Sequence, residues 1–227
     1  MKIKKIIAVT SLVALLGMPL QVHAQLGGFK IPSVPGLGGS NSSSFDLNGG
    51  QASLFSSFSA AQGEMLQAQI LLANAFELKE LADTLKAEAD YVASGAVDAG
   101  GMKGSFEKSA SAQDAITERM DSGAELSEEG KQYFLASIPH LLQGTLALSK
   151  LPAEVQSVAD GVKSVAQNGS VMQKVEAAKL VAPTASLASA MPGFVKSSYD
   201  NYKKVITYGQ QKSLPVPVDA TAALGNF

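Results

Sequence analysis

Apolar residues are not spread evenly along this chain. From Tyr133 to Leu148 no formal charge occurs, and the apolar residues, beginning with Tyr133, Phe134, Leu135 and Ala136, fall on every face of a helix and not on one stripe. A helix with no polar stripe is one buried all round, so Glu128 to Leu151 is expected to form the central rod of a bundle. Ser127 followed by Glu128 and Glu129 gives the rod a capped start, with acids at the positive end of its dipole. Pro139 is expected to kink or divide it.

Other segments carry a single apolar stripe. Leu54, Phe58, Ala61, Met65, Ala68, Leu72 and Phe76 recur every three or four residues and predict a helix from about Gln51 to Phe76. Leu78 to Ala93 repeats the pattern with a charged outer face, and the spacing leaves open whether Phe76 to Leu78 breaks the chain. Four glycines between Gly95 and Gly104 predict the clearest break, followed by a weakly amphipathic, exposed helix over Ser105 to Asp121. Pro152 opens a helix to about Asn168, and Ser170 with Gln173 forms a capping box for Val171 to Val181. Pro183 and Pro192 are expected to bound a short segment before a last long helix, Gly193 to Gln211, and Asp219 to cap a final turn, Ala220 to Leu224. No strand alternation persists and no repeat recurs. The fold class is therefore all-α, a bundle of about six or seven helices around a central apolar helix.

The amino terminus has a different pattern. Lys2, Lys4 and Lys5 precede an apolar run, Ile6 to Leu16, and Val22-His23-Ala24 suits signal-peptide cleavage after Ala24. The run is too short to cross about 30 Å of hydrocarbon, so a cleaved leader over 1–24 and a soluble periplasmic or extracellular product are expected. Residues 25–50 are rich in Gly, Ser, Pro and Asn and read as a flexible arm whose Phe29, Ile31, Val34 and Leu37 could dock in a groove. Residues 51–227 form the single helical domain.

Composition narrows the chemistry. The chain has no cysteine, so thiolate catalysis, disulfides and cysteine-rich metal sites are excluded, and stability must come from apolar burial. Loss of the three leader lysines moves the formal charge from −2 to −5, and Arg119 is the only arginine; a nucleic-acid partner is not expected. The layout, an export signal, a Gly/Ser-rich lead, an alanine-rich helical body and the closing Leu214-Pro-Val-Pro-Val-Asp-Ala-Thr-Ala-Ala-Leu224, resembles a set of uncharacterised exported all-α proteins of Gram-negative bacteria. The resemblance implies export and a helical fold and brings no catalytic residues with it.

Candidate sites are few. His140, the only histidine beyond the leader, is expected to hydrogen-bond either the carbonyl freed by Pro139 or a neighbouring helix, and one histidine does not make a zinc site. Ser105-Phe-Glu-Lys108 and Tyr199-Asp-Asn201 match patterns of exported penicillin-recognising enzymes, but the Lys-Thr-Gly strand is missing. Asp114, Glu118, Asp121, Glu125 and Glu128 recur at three- and four-residue spacing that would line one helical face, but Ser122-Gly123 is expected to interrupt the helix and the acids read as solvated. Tyr199, Tyr202, Lys203 and Lys204 read as the core and rim of one helix rather than a stacking surface. The expectation is an exported, non-catalytic binding or assembly protein of the bacterial envelope with no cofactor, its partner another envelope protein. The alternative is a carrier of an apolar small molecule or lipid, in a pocket between helices lined by Phe58, Met65, Leu72, Phe134, Ile138 and His140.

Overall fold

The computed structural model describes residues 45–225, and every regular element among them is a helix. In chain order these are α1 (Leu47–Ala75), α2 (Lys79–Ala93), α3 (Ala99–Asp121), α4 (Glu128–Leu148), α5 (Leu151–Asn168), α6 (Val171–Gln211) and α7 (Val218–Ala223). This is the all-α bundle expected. The expectations placed on 1–24 and on 25–44 lie outside the described residues.

The middle of the bundle belongs to α1, against which α2, α3, α4 and α5 all pack. Its start lies before Gln51: the Asp46 carboxylate accepts from the Asn48 N–H at 3.1 Å, and Gly49 and Gly50 fall inside the first turn. Helix α4 is its main partner and is not buried all round. Gly130, Phe134, Ile138, Leu141 and Leu148 face inward, while Gln132, Ala136, Pro139, Gln143 and Leu146 meet water. Apart from Leu146 that outer face is made of small and uncharged polar residues, so the absence of charge is no measure of burial here. Pro139 sits on that wet side, within a helix that runs unbroken past it.

Helices α1 and α4 run antiparallel and very close. Ala61, Ala68 and Ala75 recur every seven residues on α1, and Gly130, Ser137 and Gly144 do the same on α4; all six are buried. A methyl added to Gly130 would come within 2.7 Å of the Ala75 carbonyl oxygen, and one added to Gly144 within 2.8 Å of Met65 Sδ and 3.0 Å of its backbone N. Small side chains at one heptad position let the backbones approach, and large ones four residues on (Phe58, Met65 and Leu72 against Phe134, Leu141 and Leu148) close the edges of the seam.

Three helix boundaries depart from expectation. The glycine-rich 99–104 is the first turns of α3, because the Asp98 carboxylate accepts from the Gly101 N–H at 2.7 Å; only Gly95 keeps a left-handed turn, at φ 71°. Helix α3 is also less exposed than its weak pattern suggested, with Met102, Phe106, Ile116 and Met120 all buried. The two helices expected on either side of Pro183 and Pro192 are one, α6, of 41 residues. Both prolines lie on its exposed side, where water can take the carbonyls that their missing N–H groups release. Helix α7 starts at Val218 after Pro217, ahead of the Asp219 cap expected for it.

The chain does break at Phe76 to Leu78. There Glu77 adopts φ 59° so that the Leu78 N–H can reach the Ala73 carbonyl at 2.8 Å, the closing bond of a glycine-type helix stop. A side chain in this conformation costs about 1 kcal/mol. Glu77→Gly is accordingly expected to raise the free energy of unfolding by about 0.5 to 1 kcal/mol in urea titrations, and Glu77→Ala to leave it nearly unchanged.

Candidate functional site

Of the two partners expected for His140, the structure shows the neighbouring helix, α1. The antiparallel α1–α4 register sets it beside Glu64, with Nδ1 2.7 Å from Oε2. A carboxylate can only accept, so the hydrogen of this bond rides on Nδ1. Both side chains are about one third exposed, at 38% and 31%. Among the described residues, no three His, Asp or Glu side chains stand close enough together to hold a metal ion.

The six residues expected to share a pocket are not brought together as one. Phe58, Leu72, Phe134 and Ile138 have no exposed surface and Met65 has 3%, whereas His140 lies with Glu64 at the rim. The five inner residues spend their surface on one another and on neighbours: the Phe58 ring meets Phe106 edge-on at 5.2 Å, and Phe134 lies 5.4 Å from Tyr208. A crevice touching Met65 has a volume of about 30 Å³, and Gln62, Gln69, Ser109 and Asn201 line it along with Phe106 and Phe194. That is the size of a single water molecule and too small for an apolar ligand.

The remaining candidates are engaged in holding helices together. Ser105 is buried and its hydroxyl accepts from Gln62 Nε2 at 3.2 Å, while Lys108 reaches Glu88 on α2 at 2.6 Å, so the Ser-x-x-Lys pair is split between two neighbours. The Glu88 carboxylate holds the Lys108 ammonium above its usual range, chiefly by hydrogen bonding. Of the carboxylate series, Asp121 is 3.6 Å from Lys204, Glu125 is 2.6 Å from Lys212 and Glu128 is 2.6 Å from Lys131. The Lys212 ammonium also holds the Glu125 carboxyl below its usual range. Helix α3 stops at Asp121 with Gly123 left-handed, so no single helical face carries all five acids.

No protein family, curated protein or solved structure matches this chain. What its surfaces can do must follow from their own geometry.

The tyrosines of α6 tie down the carboxyl-terminal end. Tyr199 donates to the Leu224 carbonyl at 3.1 Å and Tyr202 to the Ala220 carbonyl, which pins α7. Burial, with Asp219 adding to it, pushes the Tyr202 hydroxyl up to about 12. A phenol whose folded pKa lies above its unfolded value of about 10 supports the fold below that pH and withdraws support as pH rises toward 12. Wild-type protein is expected to lose stability between about pH 10 and 12 more steeply than Tyr202→Phe, by up to about 1 kcal/mol per pH unit after solvent screening. Denaturant melts of both proteins across that window check this.

Two features are not evident from the sequence pattern. One is a polar seam between α1 and α3, where Gln69 Nε2 donates to the Ser109 carbonyl at 2.9 Å and Ser109 Oγ returns a bond to Gln69 Oε1 at 2.9 Å. A signal for it does exist, since Gln62 and Gln69 are seven apart and Ser105, Ser109 and Gln113 recur every fourth residue. The other is the outer end of the α5–α6 hairpin. Val171 and Met172 are each 81% exposed, Val175 53% and Val181 42%, and of the first turns of α6 only Ala177 is buried up to Ala182. Grouped apolar side chains of this size left in water are uncommon on a protein surface.

Proposed function

We propose that this chain is an exported, non-catalytic binding or assembly protein of the bacterial envelope. The observation that carries the binding half is the start of α6, where Val171, Met172, Val175 and Val181 stand in water. The engagement of Ser105, Lys108, Tyr199 and Tyr202 in contacts between helices supports a structural use of those side chains. Export is supported by the three lysines, the apolar run and Val22-His23-Ala24 at the amino terminus. Among the described residues no helix is long and apolar enough to cross a membrane.

Fractionation of a Gram-negative host expressing the full chain, with intact mass of the product, tests the export half. The expected result is a periplasmic or secreted protein beginning at Gln25; a full-length chain that stays in the cytoplasm overturns it. Pull-down from envelope extract tests the binding half. Retention of an envelope component that is lost with Val171→Ser, Met172→Ser and Val175→Ser together is expected, and equal retention by both forms removes the hairpin end from the account.

A further inference from the structure

We infer that the outer end of the α5–α6 hairpin is a membrane-contacting tip, one that seats its apolar side chains in the headgroup region of an anionic lipid bilayer. The inference rests on the binding half of the proposed function and names the chemistry of the partner.

The geometry of the tip argues for lipid. Val171 and Met172 lie in the first turn of α6, directly after the Ser170 cap, and Val175 follows one turn on. These are side chains at the free end of a hairpin, held there by a capping box in which Ser170 and Gln173 bond each other's backbone. A convex apolar end needs a concave acceptor if its partner is a folded protein. A bilayer surface yields around it and needs none.

Charge points the same way. From Lys163 to Ala182 there are three lysines, at 163, 174 and 179, against the single acid Glu176, all on exposed positions of a chain that is acidic overall. Glu176 pairs with Lys179 at 2.8 Å, so the excess over this stretch is two positive charges. Lysines flanking an apolar tip are placed to meet anionic headgroups as the apolar groups enter.

A second copy of the chain is a poorer occupant. Val171 to Ala185, the exposed stretch of α6, is about 21 Å long and one helix wide, well short of the roughly 800 Å² per partner that a stable dimer buries. Three aliphatic side chains with lysine support are instead suited to reversible attachment.

The chain contains no tryptophan, so Met172→Trp places a unique fluorophore at the tip. Vesicles of phosphatidylglycerol and phosphatidylcholine in equal parts are expected to shift its emission to shorter wavelength and to co-sediment the wild-type protein, whereas phosphatidylcholine alone does neither. Val171→Ser, Met172→Ser and Val175→Ser combined should reduce partitioning at least about tenfold with helical content unchanged. Lys163→Gln, Lys174→Gln and Lys179→Gln combined should abolish the preference for anionic lipid, as should high salt. No emission shift and no co-sedimentation overturns the inference, and so does equal binding by the triple-serine form. Self-association in lipid-free solution that the serine substitutions abolish, without vesicle binding, assigns the tip to a second copy and overturns it too. Export is read by fractionation and lipid binding on purified protein, so either can fail alone.

Discussion

Phe134→Ala is expected to lower the free energy of unfolding by about 4 kcal/mol, toward the upper end for truncating one buried side chain. Phe134 has no exposed surface, and it joins three helices: its ring lies 5.4 Å from Tyr208 on α6, whose own ring meets Phe76, just past the end of α1, at 5.5 Å. Its Cε1 also passes 3.1 Å from where a Cβ on Gly209 would stand, so α6 approaches at this point without a side chain between. Removing the ring gives up its transfer free energy and leaves a cavity that three packed backbones cannot collapse to fill. Urea denaturation checks it. Phe134→Leu, which retains most of the volume, should lose less than half as much, and a loss under about 1.5 kcal/mol for the alanine form would show that the site relaxes freely.

Gly144→Ala is the second large effect, and its sign is the informative part. Alanine is favoured over glycine inside a helix by about 1 kcal/mol, so propensity alone predicts stabilisation. The seam predicts the reverse. The new methyl would press on Met65 at its thioether and at its backbone N, and a backbone cannot swing aside, so α4 must move off α1 along its length. Overpacking of this kind costs about 1 to 3 kcal/mol, and a net loss of about 2 is expected. Gly130→Ala, which meets the Ala75 carbonyl, should behave alike. Gly63→Ala is the control, because nothing stands within 4 Å of its added methyl, and it is expected to gain up to about 1 kcal/mol. Stabilisation by all three would mean that α1 and α4 are not in close contact.

Local patterns are legible where a single segment carries its own reason. Ser127 over Gly130, Ser170 with Gln173 and Pro152 in the first turn of α5 are all placed by residue type alone, because a cap bonds within its own four residues. Pattern fails where a boundary depends on distant support. Pro183 and Pro192 suggest a break locally, yet Thr184, Leu187 and Met191 are buried on the inner face between them, and that packing carries the helix through. Gly100, Gly101 and Gly104 mark a loop by composition, and the Asp98 cap together with burial of Met102 outweighs them. Shared apolar character likewise does not distinguish side chains that fill space, as Phe58 and Phe134 do, from side chains that surround it. His140 is visible as a lone imidazole, but Glu64 lies 76 residues away and nothing local pairs them.

Taken alone, the sequence determines that the described chain is helical, without cysteine chemistry, and where most of its helices begin, since periodicity, caps and composition act over a few residues. The tertiary structure decided which helix is innermost, that small residues every seven positions draw α1 and α4 together, and that the apolar start of α6 stays in water. Each of these is a choice of neighbour. A hydrophobic face specifies that something must cover it, and only the packed arrangement of all the helices decides what does and which face is left uncovered.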